Sequence, residues 1–110
     1  MNINKYFKFT DALLSNSKLN GFYKTSYGFE LLLKLYHQSQ LENNMHIDEL
    51  YLNLNSGLPR REAFGKYIKR LDSLGCINKI SHSQKKSMKS IVLSENIIAE
   101  LDKVFERKRI

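Results

Sequence analysis

Tryptophan is absent from the 110 residues, and proline and cysteine occur once each, as Pro59 and Cys76. A lone cysteine excludes an internal disulfide framework and suits a reducing compartment. The five glycines stand apart, and none opens a phosphate-cradling loop; Gly57 has no glycine neighbours. Long apolar runs are missing too. The longest cluster, Phe29 to Tyr36, contains Glu30 and Lys34 and falls far short of the ~20 residues that span a bilayer. The opening Met1-Asn2-Ile3-Asn4-Lys5-Tyr6 is too polar for a secretory h-region. These absences predict a cytoplasmic chain with no membrane partner. His37, His46 and His82 lie apart from one another and from Cys76, without ligand-like spacing, so neither a metal site nor a cofactor is expected. No serine sits in a nucleophile motif, and Asp48-Glu49 is explained by helix capping, so the chain is not read as an enzyme.

What the chain has is localised positive charge. Pro59 to Lys89 carries Arg60, Arg61, Lys66, Lys69, Arg70, Lys79, Lys85, Lys86 and Lys89 against Glu62 and Asp72. That excess equals the net +7 of the whole protein, so the remaining residues balance. A basic excess confined to one stretch marks a face that meets a polyanion, and nucleic acid is the first suspect. A hydrophobic fraction of 42% fits a folded chain, and the length fits one domain over 1–110.

Spacing predicts the elements. Tyr6, Phe7, Phe9, Leu13 and Leu14 form one apolar stripe of an N-terminal helix or arm over 1–25. Asn16 to Gly21 reads as a turn, and Ser26 as the N-cap of a central helix with Glu30 in its first turn. Asn43-Asn44 ends that helix. Met45-His46-Ile47 is a short extended piece, and Asp48 caps a helix with Leu50, Tyr51 and Leu54 on one face. Asn55-Ser56-Gly57 breaks it, and Pro59 opens a third helix over about 59–74. There Phe64, Ile68, Leu71 and Leu74 recur at core-facing spacing, and Gly75 stands where a left-handed C′ residue belongs. Beyond Gly75 the period shifts to two: Cys76, Asn78 and Ile80 alternate with Ile77, Lys79 and Ser81. Ser90 to Leu93 is a second strand, with a basic tip, His82 to Lys89, between the two. Ser94 caps a C-terminal helix over 95–110 with Ile97, Ile98, Leu101, Val104 and Phe105 on its apolar face. Two helices joined by a short glycine-containing turn, followed by a hairpin, make a winged helix-turn-helix over 45–94. The fold class is mainly α with a small β-hairpin, with extra N- and C-terminal helices.

The stretch from His46 to Glu95 resembles the MarR family of bacterial winged-helix regulators. The resemblance rests on Ile47-Asp48-Glu49-Leu50 and Leu54-Asn55-Ser56-Gly57-Leu58, and on Ile68 to Ile77 with its leucine, glycine, apolar, isoleucine ending. A basic hairpin and Ile91-Val92-Leu93-Ser94-Glu95 complete it. Short length and a basic tail make the SarA-like branch a natural comparison. Two places depart from the family pattern. Leu58-Pro59-Arg60 replaces the usual small N-cap, and Gln84 to Lys89 replaces the usual Asp-x-Arg of the wing. The resemblance implies a homodimeric, double-stranded-DNA-binding transcription regulator. It also implies that any small-molecule effector, whose identity is unknown, binds between the dimerisation and winged-helix parts.

The expected contacts follow from the core spacing. With Phe64, Ile68 and Leu71 inward, Arg60, Arg61, Glu62, Gly65, Lys66 and Lys69 face outward into a major groove. Arg60 and Arg61 are the base readers, since arginine can grip guanine O6 and N7 together. Lys66, Lys69 and Arg70 suit phosphates. Glu62 either accepts from cytosine or complements the helix N-terminus, and the second reading is preferred. Gly65 allows either close approach of DNA or a tight helix–helix contact. Lys85, Lys86 and Lys89 on the wing, over about 81–90, would reach a minor groove or backbone; the plainer reading is a solvated hairpin tip. Cys76 stands where the pattern wants a buried apolar residue, so core packing is preferred to oxidant sensing. The terminal apolar residues offer surface for a two-fold dimer or for packing onto the central helix. The competing functions are a winged-helix protein-interaction module and a nonspecific nucleoid or replication-associated DNA binder.

Overall fold

The computed structural model describes residues 3–41, 45–55, 59–81 and 89–106. Helix α1 spans Ile3–Ser15. Its apolar residues do not form one stripe. Leu13 is buried and Phe9 half-buried, whereas Tyr6, Phe7 and Leu14 are at least half exposed. Phe9 and Leu14 lie about 140° apart on a helix wheel of about 100° per residue, too far for one face. The expected turn at Asn16–Gly21 is instead a 3-10 segment, Ser17–Tyr23, capped by Asn16 Oδ1 accepting from Lys18 N at 3.0 Å.

Helix α2, Gly28–Leu41, is the central helix, with Leu31, Leu32, Leu35 and Tyr36 buried. Its cap residue is Tyr27 rather than Ser26: the Tyr27 carbonyl accepts from Leu31 N at 3.0 Å. The glycine that follows explains the position. A Cβ on Gly28 would collide with the Phe22 carbonyl and stand 2.7 Å from the Tyr67 hydroxyl, so this helix start packs where only glycine fits. Glu30 lies in the first turn, as the sequence suggests, and accepts from Asn55 N at 2.8 Å. The expected stop at Asn43-Asn44 lies outside the described residues.

Strand β1, Met45–His46, leads directly into α3, Ile47–Leu52. The extended cap residue is His46, and Asp48 lies inside the first turn, contrary to the sequence expectation. Strand pairing keeps the chain extended through His46, so the helix begins at the next residue. Leu50 is buried and Tyr51 half-buried, as their spacing implies, but α3 ends at Leu52 with Asn53 as its cap residue, so the buried Leu54 lies past the helix and not on its face. The Ser56-Gly57 part of the expected break lies outside the described residues.

Helix α4, Arg61–Ser73, starts later than the sequence suggests. Arg60 is its extended cap residue, and Pro59 precedes it. The Tyr51 hydroxyl donates to the Pro59 carbonyl at 2.6 Å and so holds Pro59 outside the helix. Phe64, Ile68 and Leu71 are fully buried, and Tyr67 joins them. Leu74 is 56% exposed because it is the cap residue, past the last core-facing turn. Gly75 takes φ +76°. Cys76 N bonds to Leu71 O at 3.0 Å and Gly75 N to Asp72 O at 3.1 Å, closing the helix with a Schellman pair.

Strands β2, Ile77–Ser81, and β3, Lys89–Leu93, pair antiparallel, and β3 also pairs with β1, giving the order β1-β3-β2. The expected alternation breaks at both ends of β2. Cys76 and Ile77 are both buried, since Cys76 still belongs to the turn, and Ile80 is 40% exposed, out towards the tip. Ser94 precedes α5, Glu95–Val104, at the expected cap position, but its hydroxyl lies 3.0 Å from Cys76 O and 2.6 Å from Asn96 Oδ1. Ile97 and Leu101 are buried. Tyr36 stacks on Phe105 at 5.6 Å and donates to Asp102 Oδ1 at 2.6 Å, while Phe9 meets Phe105 at 5.5 Å. Glu100 accepts from Asn16 Nδ2 (2.9 Å) and Lys18 Nζ (3.0 Å), which hold its carboxyl below the usual range and tie α5 to the 3-10 segment. The architecture is a winged helix-turn-helix with a three-stranded sheet and extra terminal helices. Among the described residues no helix is long and apolar enough to cross a membrane.

Candidate nucleic-acid interface

Helix α4 sits on a bed of rings. Phe64 lies 5.4 Å from Tyr51 and 5.9 Å from Tyr27, and Tyr67 meets Tyr27 edge-on at 5.4 Å. The Tyr67 hydroxyl donates to Gly21 O at 2.7 Å, and burial pushes its pKa up to about 12. This cluster fixes the rotation of α4 and therefore which residues it shows to solvent.

Arg61, Gly65, Lys69, Glu62 and Lys66 fall within an arc of about 140°, opposite the buried face. Arg61, Glu62, Lys66 and Lys69 are exposed, and Arg60 is exposed just before them. Glu62 stands in the first turn of α4, where an anion suits the helix dipole, with its carboxylate 3.8 Å from Lys66 Nζ. Arg70 is exposed at the edge of this face, about 40° beyond Lys66 on the wheel. It lies about 180° from Arg61 on the wheel and borders a groove of about 430 Å³ beside Lys18, Lys24 and Leu74.

Of the two readings of Gly65, the helix–helix contact is not met among the described residues. A Cβ there would meet a single neighbour, Arg61 Nη1 at 3.1 Å, on the same helix. No other helix of the described residues approaches it, so no tight helix–helix contact explains the glycine. Cys76 is buried at 6% exposure, and its thiol is pushed up by burial, as a core residue requires. Among the described residues no group of three or more histidine, cysteine or acidic side chains could hold a metal.

Lys89 opens β3, exposed, and Lys79 is exposed on β2. Lys85 and Lys86, with the rest of 82–88, lie outside the described residues. Sequence reasoning missed two contributors. Asp48 Oδ1 accepts from Arg61 Nε at 2.9 Å, joining α3 to α4; no periodicity signals a pair on different elements. Tyr67 was findable, because it lies three residues from Phe64 on the same helical face.

No family model and no curated protein matches the sequence. Solved structures do. Overoxidized AbfR bound to DNA superposes with a TM-score of 0.52 at 25% identity, covering 82% of this chain and 61% of that one. Reduced AbfR bound to DNA gives the same TM-score and identity, with 60% of that chain covered. RV1404 from Mycobacterium tuberculosis gives a TM-score of 0.54 at 19% identity, over 89% of this chain and 69% of that one. The chain thus spans about three fifths of the length of AbfR.

Proposed function

We propose that the protein is a sequence-specific, double-stranded-DNA-binding transcription regulator of the MarR type, acting as a homodimer. The observation that carries this reading is the solvent face of α4. It places Arg61, Gly65, Lys66 and Lys69 together, exposed or half-exposed, behind an exposed Arg60. A winged-helix protein with the same architecture, AbfR, has been solved on DNA. In the proposed complex α4 enters a major groove with its N-terminal end leading. Arg60 and Arg61 read bases, Lys66 and Lys69 hold phosphates, and Gly65 leaves room at the DNA-facing surface for the Arg61 guanidinium. Glu62 complements the helix dipole. Lys85, Lys86 and Lys89 of the wing contact backbone or minor groove. Arg70, exposed at the edge of the same face, holds a flanking phosphate.

The test is a gel-shift series comparing the promoter region of the protein's own gene with random duplex, at about 50 and about 200 mM salt. Affinity should fall about a thousandfold across that range if six or more phosphates are neutralised, and the promoter should bind more tightly at both. Salt dependence without preference would establish a nonspecific nucleoid binder in its place. No binding at either salt would favour a protein-interaction module.

A further inference from the structure

Arg61 is exposed, yet it is held from one side and given room on the other. Asp48 Oδ1, reaching from α3, takes its Nε–H at 2.9 Å. On the other side Nη1 lies 3.1 Å from where a Cβ on residue 65 would stand, so glycine leaves the space that the guanidinium fills. A guanidinium is a rigid plane with five N–H donors. Engaging Nε uses its inner edge and leaves the outer edge, the Nη1 and Nη2 pair, as a two-pronged donor. That outer edge matches guanine O6 and N7.

We infer that Asp48 is a positioning residue for base recognition: it fixes the Arg61 guanidinium, in the space that Gly65 leaves open, so that Nη1 and Nη2 face a guanine. This rests on the proposal that α4 reads a major groove. An exposed carboxylate beside a DNA-facing helix repels phosphate, so Asp48 lowers general affinity for the polyanion. What it adds is discrimination, because a reader held in place by a neighbouring hydrogen bond tolerates fewer bases. A role confined to the start of α3 would alter stability and leave the reading of guanine untouched.

The experiment uses the full chain. Wild-type protein selects a duplex from a randomised library, and each guanine of that duplex is replaced in turn by 7-deazaguanine, which lacks the N7 acceptor. At one or more guanines the replacement should weaken wild-type binding about tenfold. For Asp48→Ala, which deletes the acceptor, the loss at that guanine should shrink to under about threefold, with binding to unrelated duplex unchanged or tighter. Gly65→Ala, whose methyl group would displace the guanidinium, should lose sensitivity at the same guanine, and it keeps the question answerable if Asp48→Ala folds poorly. An Asp48→Ala protein as sensitive as wild type overturns the inference. So does one that binds both duplexes more tightly with its discrimination intact, since Asp48 would then merely restrain Arg61. Arg61→Ala separates the levels: if it keeps every sensitivity, Arg61 reads no base and the positioning role falls with it. A wild-type chain that selects no sequence at all overturns the functional reading itself.

Discussion

Tyr67 shows how much one side chain can decide. It is buried, its ring packs edge-on against Tyr27, and its hydroxyl reaches Gly21 O from the middle of α4. Tyr67→Phe keeps the ring and deletes the hydrogen bond. It should lower stability by about 1 kcal/mol, measured as a lower midpoint in urea at neutral pH. The alkaline behaviour has a definite sign. Burial holds the folded pKa near 12, while an unfolded tyrosine ionises near ~10. The contribution is therefore complete below about pH 10 and is lost as pH rises towards the folded value. Tyr67→Phe should flatten the stability profile over that window, and an unchanged slope between wild type and variant would remove Tyr67 from the account.

The elements differ in how legible they were. Core spacing in Phe64, Ile68 and Leu71 was enough to orient α4, and with it the outward Arg61, Gly65, Lys66 and Lys69. Gly75 was legible because few residues besides glycine close a helix in the left-handed region. The start of α4 was not, because a tyrosine on α3 holds the Pro59 carbonyl and no local pattern reports that. The N-cap of α3 was misplaced for a similar reason, as β1 is two residues long and has no periodicity to read. The Asp48–Arg61 pair joins two helices, and contacts between elements leave no trace in spacing. Three glycines on these elements give a graded test by thermal unfolding. Gly28→Ala should be the most damaging, since its Cβ would strike backbone. Gly75→Ala meets nothing within 4 Å, so only its φ of +76° opposes it, costing about 1 kcal/mol. Gly65→Ala should leave stability equal or raise it by up to about 1 kcal/mol, because alanine favours helix and only a flexible side-chain end must yield. A different order would mean that these backbone arguments are wrong.

At the scale of the whole molecule, four of the large apolar residues left exposed gather on α1, while Leu41, Leu52, Leu74 and Ile80 are scattered over other elements. Ile3, Tyr6, Phe7 and Leu14 are each at least half exposed, and they share one side of the helix wheel. A second copy is the proposed cover, with α1 near the two-fold axis and two α4 helices offered to one duplex. The double variant Phe7→Asp, Leu14→Asp should sediment as a single 12.9 kDa chain where the wild type sediments at twice that mass. Its affinity for the selected duplex should fall at least about tenfold, as losing one of two tethered contacts requires. A wild type that is already a single chain would end the dimer proposal. The sheet has a further consequence. Met45 pairs with Ile91 across the entire helix-turn-helix, and the two-residue β1 cannot stand without β3. During synthesis α4 therefore emerges well before the strand that closes its frame. A nascent chain halted between them would carry α4 with its base still open, so α4 gains its final frame only after β3 has been made.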